Sequence, residues 1–216
     1  MNSRQKSWFR SVAALLVIAA AAAWIYWREF KAPQFDVELH RCVGEVMAEQ
    51  TARVAGPGGK IVLITIPTSD QPELKVELQA FNAKLRKLGK FEVREYELDT
   101  KDQDKYGIGT GLSGRRYVRT ANKNLDAAAI VSFVGAPSLK DEDVTELKRV
   151  PKLVAQARSV DHLPKLFGRQ LISVAVASRF SFPAPGPVLA RTVQDRFDKR
   201  YQIVVAATVA AIPKAD

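Results

Sequence analysis

Residues 60–67 read KIVLITIP, and this stretch decides the fold. Ile61, Val62, Leu63, Ile64 and Ile66 leave only Thr65 to interrupt the apolar run, and most of these side chains branch at Cβ. A strand with one wet face would alternate, so a continuous run implies cover on both faces, as in a parallel sheet. Downstream, Asp70 and Glu73 have capping-box spacing and Pro72 falls in the first turn. Leu74, Leu78, Phe81, Leu85 and Leu88 then mark one helical face, and Gly89 supplies the stop. Residues 91–98 (FEVREYEL) alternate and predict a more exposed, edge-like strand.

The same alternation continues to the end of the chain. Residues 99–113 are polar and glycine-bearing, and 115–124 predict a helix. Residues 127–135 (AAAIVSFVG) are a second fully apolar strand. Val144, Leu147, Val150, Leu153 and Val154 give residues 141–157 a helical pattern that Pro151 interrupts. A short helix follows at 162–169, a third buried strand at 171–178 (LISVAVAS), a loop at 182–187 and a helix at 188–200. Residues 201–208 (YQIVVAAT) close the series as a fifth strand.

Five strands separated by helices predict an α/β fold, a doubly wound, mainly parallel sheet with helices on both faces. The expected strand order is 2-1-3-4-5. The run KIVLITIP, the helix to Gly89, FEVREYEL, AAAIVSFVG and residues 163–180 (LPKLFGRQLISVAVASRF) resemble one lobe of the type 1 periplasmic-binding fold, over about residues 59–210. Such proteins bind sugars, amino acids or similar solutes between two lobes. The resemblance implies solute binding, with length here for a single lobe. It carries over no binding residue.

Upstream lies a different kind of segment. Arg4, Lys6 and Arg10 precede a stretch in which no residue from Val12 to Trp27 is charged. Trp8 and Phe9 stand before it and Trp24, Tyr26 and Trp27 close it, as an interfacial aromatic belt would. Trp8 to Trp27 spans roughly 28 Å as a helix, near the thickness of a bilayer's hydrocarbon. Three readings compete: an uncleaved signal anchor, a signal peptide cleaved near the run from Ala19 to Ala23, and a buried helix. Aromatics directly after the alanines favour retention. Residues 1–31 are therefore expected to anchor the chain in a bacterial inner membrane as a single pass, N-terminus in the cytoplasm and body in the periplasm. Residues 32–56 would form a juxtamembrane amphipathic helix, with Leu39, Val43, Val46 and Met47 on one face, ended by Gly56-Pro57-Gly58-Gly59. Residues 57–216 would be an extracytoplasmic α/β domain.

Composition excludes several classes. The 216 residues include one cysteine and two histidines, so there is no internal disulfide and no zinc site built of several Cys and His ligands. Net charge is +10, and residues 1–31 account for +4 of it. The remaining excess suits an anionic membrane surface or an acidic polymer, or simply a solvated surface. Basic residues do not interleave with aromatics, which argues against nucleic acid.

Candidate chemistry is sparse. In an open α/β sheet, ligands sit beyond the carboxyl ends of the strands. Those ends supply Thr68 and Ser69 beside Asp70, then Gly135 and Ser138, then Arg179 beside Ser178, a set suited to a small polar or anionic ligand. Asp70 and Ser138 also read as residues leading into helices. Gly109, Gly111 and Gly114 match G-x-G-x-x-G, and with Arg115 they form a candidate anion loop. That loop lies eleven residues after Leu98 rather than directly after a strand, and Arg115-Arg116 replaces the Lys-Ser/Thr pair of a phosphate loop. A plain glycine loop is the competing reading. Asp161 and His162 are adjacent, but no nucleophile elbow accompanies them. His40 and Cys42 stand about 200° apart on a helix and cannot share a ligand. No catalytic, metal or cofactor constellation emerges, which weighs against an enzyme. The reading is a membrane-anchored, non-catalytic binding or scaffolding subunit with a membrane-protein partner. The alternative is a single-lobe solute-binding or sensor domain, with an exported hydrolase or transferase behind both.

Overall fold

The computed structural model describes residues 3–29, 35–98, 112–158, 160–179 and 192–211. Residues 1–35 and 36–216 form two compact units, taken here one at a time.

The first unit is helix α1, Ser3–Glu29. Its described side chains run from Val12 to Trp24 with Tyr26, and all but the partly covered Val12 are exposed. Leu15, Leu16, Val17, Ile18 and Trp24 are each about two-thirds exposed. Among the described residues no helix is long and apolar enough to cross a membrane.

The second unit begins with α2, Val37–Ala55. Asp36 caps it by accepting the Leu39 N–H at 3.1 Å, and Gly56 ends it at φ +96°, a conformation that favours glycine. β1, Gly58–Thr65, follows after Gly56 and Pro57. Next come α3, Pro72–Leu88, and β2, Lys90–Glu97. Pro72 occupies the first turn as expected, but the N-cap is Gln71, without a side-chain bond. Asp70 instead accepts from the Ser69 hydroxyl at 3.3 Å, so the expected capping box does not form.

The rest of the unit comprises β3 (Leu112–Ser113), α4 (Gly114–Lys123), β4 (Ala129–Ser132), β5 (Pro137–Ser138), α5 (Asp141–Thr145), β6 (Leu153–Ala157), α6 (Leu163–Gly168), β7 (Val174–Ser178), α7 (Val193–Arg200) and β8 (Tyr201–Val204). The main sheet has six strands in the order β2-β1-β4-β6-β7-β8, all pairs parallel except β7 with β8. β3 and β5 form a separate parallel pair.

The expected five-strand order is preserved with one strand added. β6 lies inside the segment read as a helix over 141–157, where only residues 141–145 are α-helical. The helix already stops at Thr145, before Pro151, and Leu153, Val154 and Ala155 are fully buried between β4 and β7. Burial on both faces, rather than local periodicity, decides their conformation.

Both faces of the sheet are covered. Ile61, Leu63, Val131, Val154 and Val176 face a core with Leu39, Met47, Phe81 and Phe197 from α2, α3 and α7. Val62, Ile64, Ile130, Leu153 and Ala175 face the opposite core, with Tyr117, Val118, Leu163 and Leu166 from α4 and α6. This alternation along single strands is the period-two geometry of a sheet buried on both sides.

Candidate functional site

The parallel strands all end at one edge, and the order reverses between β1, whose chain continues to β2 on one side, and β4 on the other. A crevice at this switch point is where open α/β sheets take ligands. After β1 the backbone passes buried Ile66 to half-buried Thr68, whose carbonyl accepts the Gln71 N–H at 3.2 Å. That turn exposes Ser69 and Asp70 immediately before α3.

After β4, the Phe133 N–H bonds the Ile64 carbonyl at 3.0 Å, which keeps the two exits side by side. The fully buried Ser132 hydroxyl then donates to the Gly135 carbonyl at 2.6 Å. This bond tightens a turn in which Gly135 stands at φ +119°, a region that favours glycine. Ser138 follows on β5, exposed and paired in register with Ser113. Thr68, Ser69 and Gly135 therefore lie at the neighbouring exits of β1 and β4, and Ser138 lies a few residues farther along the second exit.

Arg179 does not join them. β4 and β6 separate β1 from β7, which places the exits of β1 and β7 roughly 14 Å apart at about 4.8 Å per strand. The Arg179 guanidinium is also engaged, its Nε donating to the Tyr201 carbonyl at 3.1 Å, and the Arg179 backbone N–H donates to the Arg200 carbonyl at 2.8 Å. It lines a groove shared by α2, α7 and β8, with Glu49, Asp198 and Tyr201. The antiparallel pairing of β8 with β7 draws it there, where a mainly parallel sheet is expected.

Of the candidate anion loop, Gly109 and Gly111 lie outside the described residues. Gly114 is buried at the start of α4, where a Cβ would collide with the Ser138 carbonyl and the Asp143 carboxylate. Close packing therefore accounts for this glycine. Arg115 is exposed on the next position of the helix. Asp161 and His162 are both exposed at the entry to α6. Among the described residues no group of three or more His, Cys, Asp or Glu side chains is placed to hold a metal.

A polar cluster that the sequence reading missed sits on the α2–α3 side. Glu77, 3% exposed, receives His40 Nδ1 at 2.6 Å and the Gln156 amide at 3.3 Å. Burial, and after it the Glu77 charge, push the Tyr201 phenol up to about 12. The signal was present: Glu77 lies three residues after Leu74 and four before Phe81, on the apolar stripe of α3. On α2, Cys42 is half-buried against the core, and burial, then Glu45 and Glu49, raise its thiol.

No family model matches the sequence, and no curated protein is similar to it. Solved structures do match. The arabinose-binding protein AraP from Geobacillus stearothermophilus superposes with a TM-score of 0.57 at 17% identity, covering 81% of this chain and 63% of its own. The chain has a type 1 periplasmic-binding fold. An ABC-transporter solute-binding protein from Burkholderia graminis C4D1M, in complex with D-arabinose, gives 0.57 at 16% identity over 81% of this chain and 62% of that one. A sugar-binding protein of a sugar ABC transporter from Bacillus halodurans gives 0.54 at 16% identity over 80% and 64%. The chain thus spans less than two thirds of the length of each of these proteins, and at these identities the likeness is one of fold.

Proposed function

We propose that this chain is a solute-binding or sensor domain that takes a small polar ligand, a sugar by analogy with its structural neighbours, at the β1–β4 exits. The observation that supports the reading is the reversal of strand order between β1 and β4, whose adjacent exits carry Thr68, Ser69 and the Gly135 turn. Hydroxyls and backbone groups suit the hydroxyls of a neutral solute, because each can donate or accept as the ligand requires. Arg179 has no part in this site as built. A thermal-shift screen of pentoses, hexoses and amino acids tests the reading. A stabilising solute should lose its effect in Thr68→Ala and Ser69→Ala, whereas a response unchanged in both variants, or no stabilising solute at all, counts against it.

A second reading concerns location. The described side chains of α1 are apolar and, apart from the partly covered Val12, exposed, a surface that a bilayer would cover. In this reading the segment from Val12 to Trp27 tethers an extracytoplasmic body to the membrane. There the body would serve as the binding or scaffolding subunit of a membrane assembly. Retention of the full-length chain in membranes washed with alkaline carbonate, with stoichiometric companions in mild detergent, is the expected result. A chain released by the wash and eluting alone would overturn it.

A further inference from the structure

Helix α4 carries a charge pattern that neither the fold nor the crevice uses. Its inner face, Tyr117, Val118 and Ala121, is buried in the core. Its outer face presents Arg115, Arg119 and Lys123 at successive i, i+4 positions, all exposed, with half-buried Arg116 beside them. The helix contains no acid, and Arg115, Arg119 and Lys123 form no ion pair among the described residues. Like charges four residues apart disfavour a helix, and cations in its first turn meet the positive end of the macrodipole. Local rules broken along one whole face point to a use beyond folding.

We propose that this face of α4 docks on an anionic lipid surface. The stripe from Arg115 to Lys123 is straight and about 12 Å long, the shape of a contact with a plane of headgroup phosphates. The only aromatic residue of the helix, Tyr117, is buried, so no stacking platform for single-stranded nucleic acid accompanies the cations. The neighbouring segment 146–149 docks on the end of α4 through Asn122, which donates to the Glu146 carbonyl at 2.8 Å and accepts the Lys148 N–H at 3.0 Å. That segment carries exposed Lys148 and Arg149, the latter donating to the Leu125 carbonyl at 2.9 Å, beside Glu146, and the acids Asp141, Glu142 and Asp143 stand on neighbouring α5. The choice of a bilayer as partner rests on the tether reading of α1, but the stripe is tested without it.

Among the described residues, both cores of the second unit are built from residues within 39–209, so removing α1 takes no described residue from either core. That fragment should sediment with vesicles of phosphatidylcholine and phosphatidylglycerol at low salt, leave them at high salt, and ignore vesicles of phosphatidylcholine alone. Replacing the three cations together, Arg115→Gln, Arg119→Gln and Lys123→Gln, should lower partitioning about 100-fold, at roughly one factor of five per charge. Circular dichroism establishes that the triple variant is folded, and Lys84→Gln, on α3, should leave vesicle binding unchanged. Equal binding by the triple variant overturns the proposal, as does equal binding to neutral vesicles. Retention on a soluble polyanion without vesicle binding would assign the stripe to an acidic macromolecule instead. Release of the full-length chain by alkaline carbonate would defeat only the tether reading.

Discussion

The two faces of the sheet are built differently. On one, α2 and α3, 19 and 17 residues long, lie along the strands and bring Leu39, Met47, Phe81 and Leu85 into a core that includes rings in edge contact, Phe81 and Phe133 at 5.4 Å. On the other, α4, α5 and α6 have 10, 5 and 6 residues, and many of the contacts are to alanines. The first face holds the sheet together. The second is assembled from short pieces and shows solvent a basic stripe, and each face holds a buried polar atom without a partner, Gln50 Oε1 on the first and the Tyr117 hydroxyl on the second. Stability and surface chemistry are thus assigned to opposite sides of one sheet.

The sharpest break of this asymmetry is Phe81→Ala. It should cost about 3–5 kcal/mol, measured by urea denaturation, because the site is fully buried and lined by long helices with little room to collapse. A loss below 1 kcal/mol would mean that the first face is not the stabilising one. Next comes Gly114→Ala, expected to cost about 1–3 kcal/mol as α4 is pushed off β5 and Asp143. Tyr117→Phe should act in the other direction, raising stability by about 1 kcal/mol, since it removes a buried hydroxyl that has no hydrogen bond. Destabilisation by that substitution would reveal a partner for the hydroxyl and make the second face better built than described.

The smallest effect is electrostatic. Lys60 lies 3.0 Å from Asp126 and, through that hydrogen bond, holds the carboxyl below its ordinary range. A carboxylate whose folded value is depressed adds stability above its unfolded value and loses it as pH falls through the folded one. Asp126→Asn should therefore lower stability slightly at neutral pH, leave it unchanged below the folded value, and so flatten the acid limb of the stability profile. A displaced neutral limb with an unaltered acid limb would assign the dependence to another group.

The parts of this architecture legible in the sequence are those where local pattern and tertiary burial agree. The run KIVLITIP becomes β1, and the stripe from Leu74 to Leu85 becomes the buried face of α3. Disagreement marks the misses. Leu153 and Val154 continue the spacing of Val144 and Leu147, so a five-residue strand after Pro151 could not be told from a helix by periodicity. At the candidate site, Thr68, Ser69 and Gly135 are reached by following β1 and β4 to their ends. Arg179 stands apart from them because its side chain donates to a backbone carbonyl on β8, and a carbonyl carries no sequence signature. Ser132 was passed over inside an apolar run, although its hydroxyl ties the Gly135 turn.

The central claim is that ligand binding belongs to the β1–β4 exits. Its most direct test is a backbone amide NMR titration with the best-stabilising solute from the screen. Saturable shifts clustered at residues 66–71 and 132–138 are expected, with little change along the α2–α7 groove that holds Arg179. Shifts confined to that groove, or spread without a cluster, would contradict the claim.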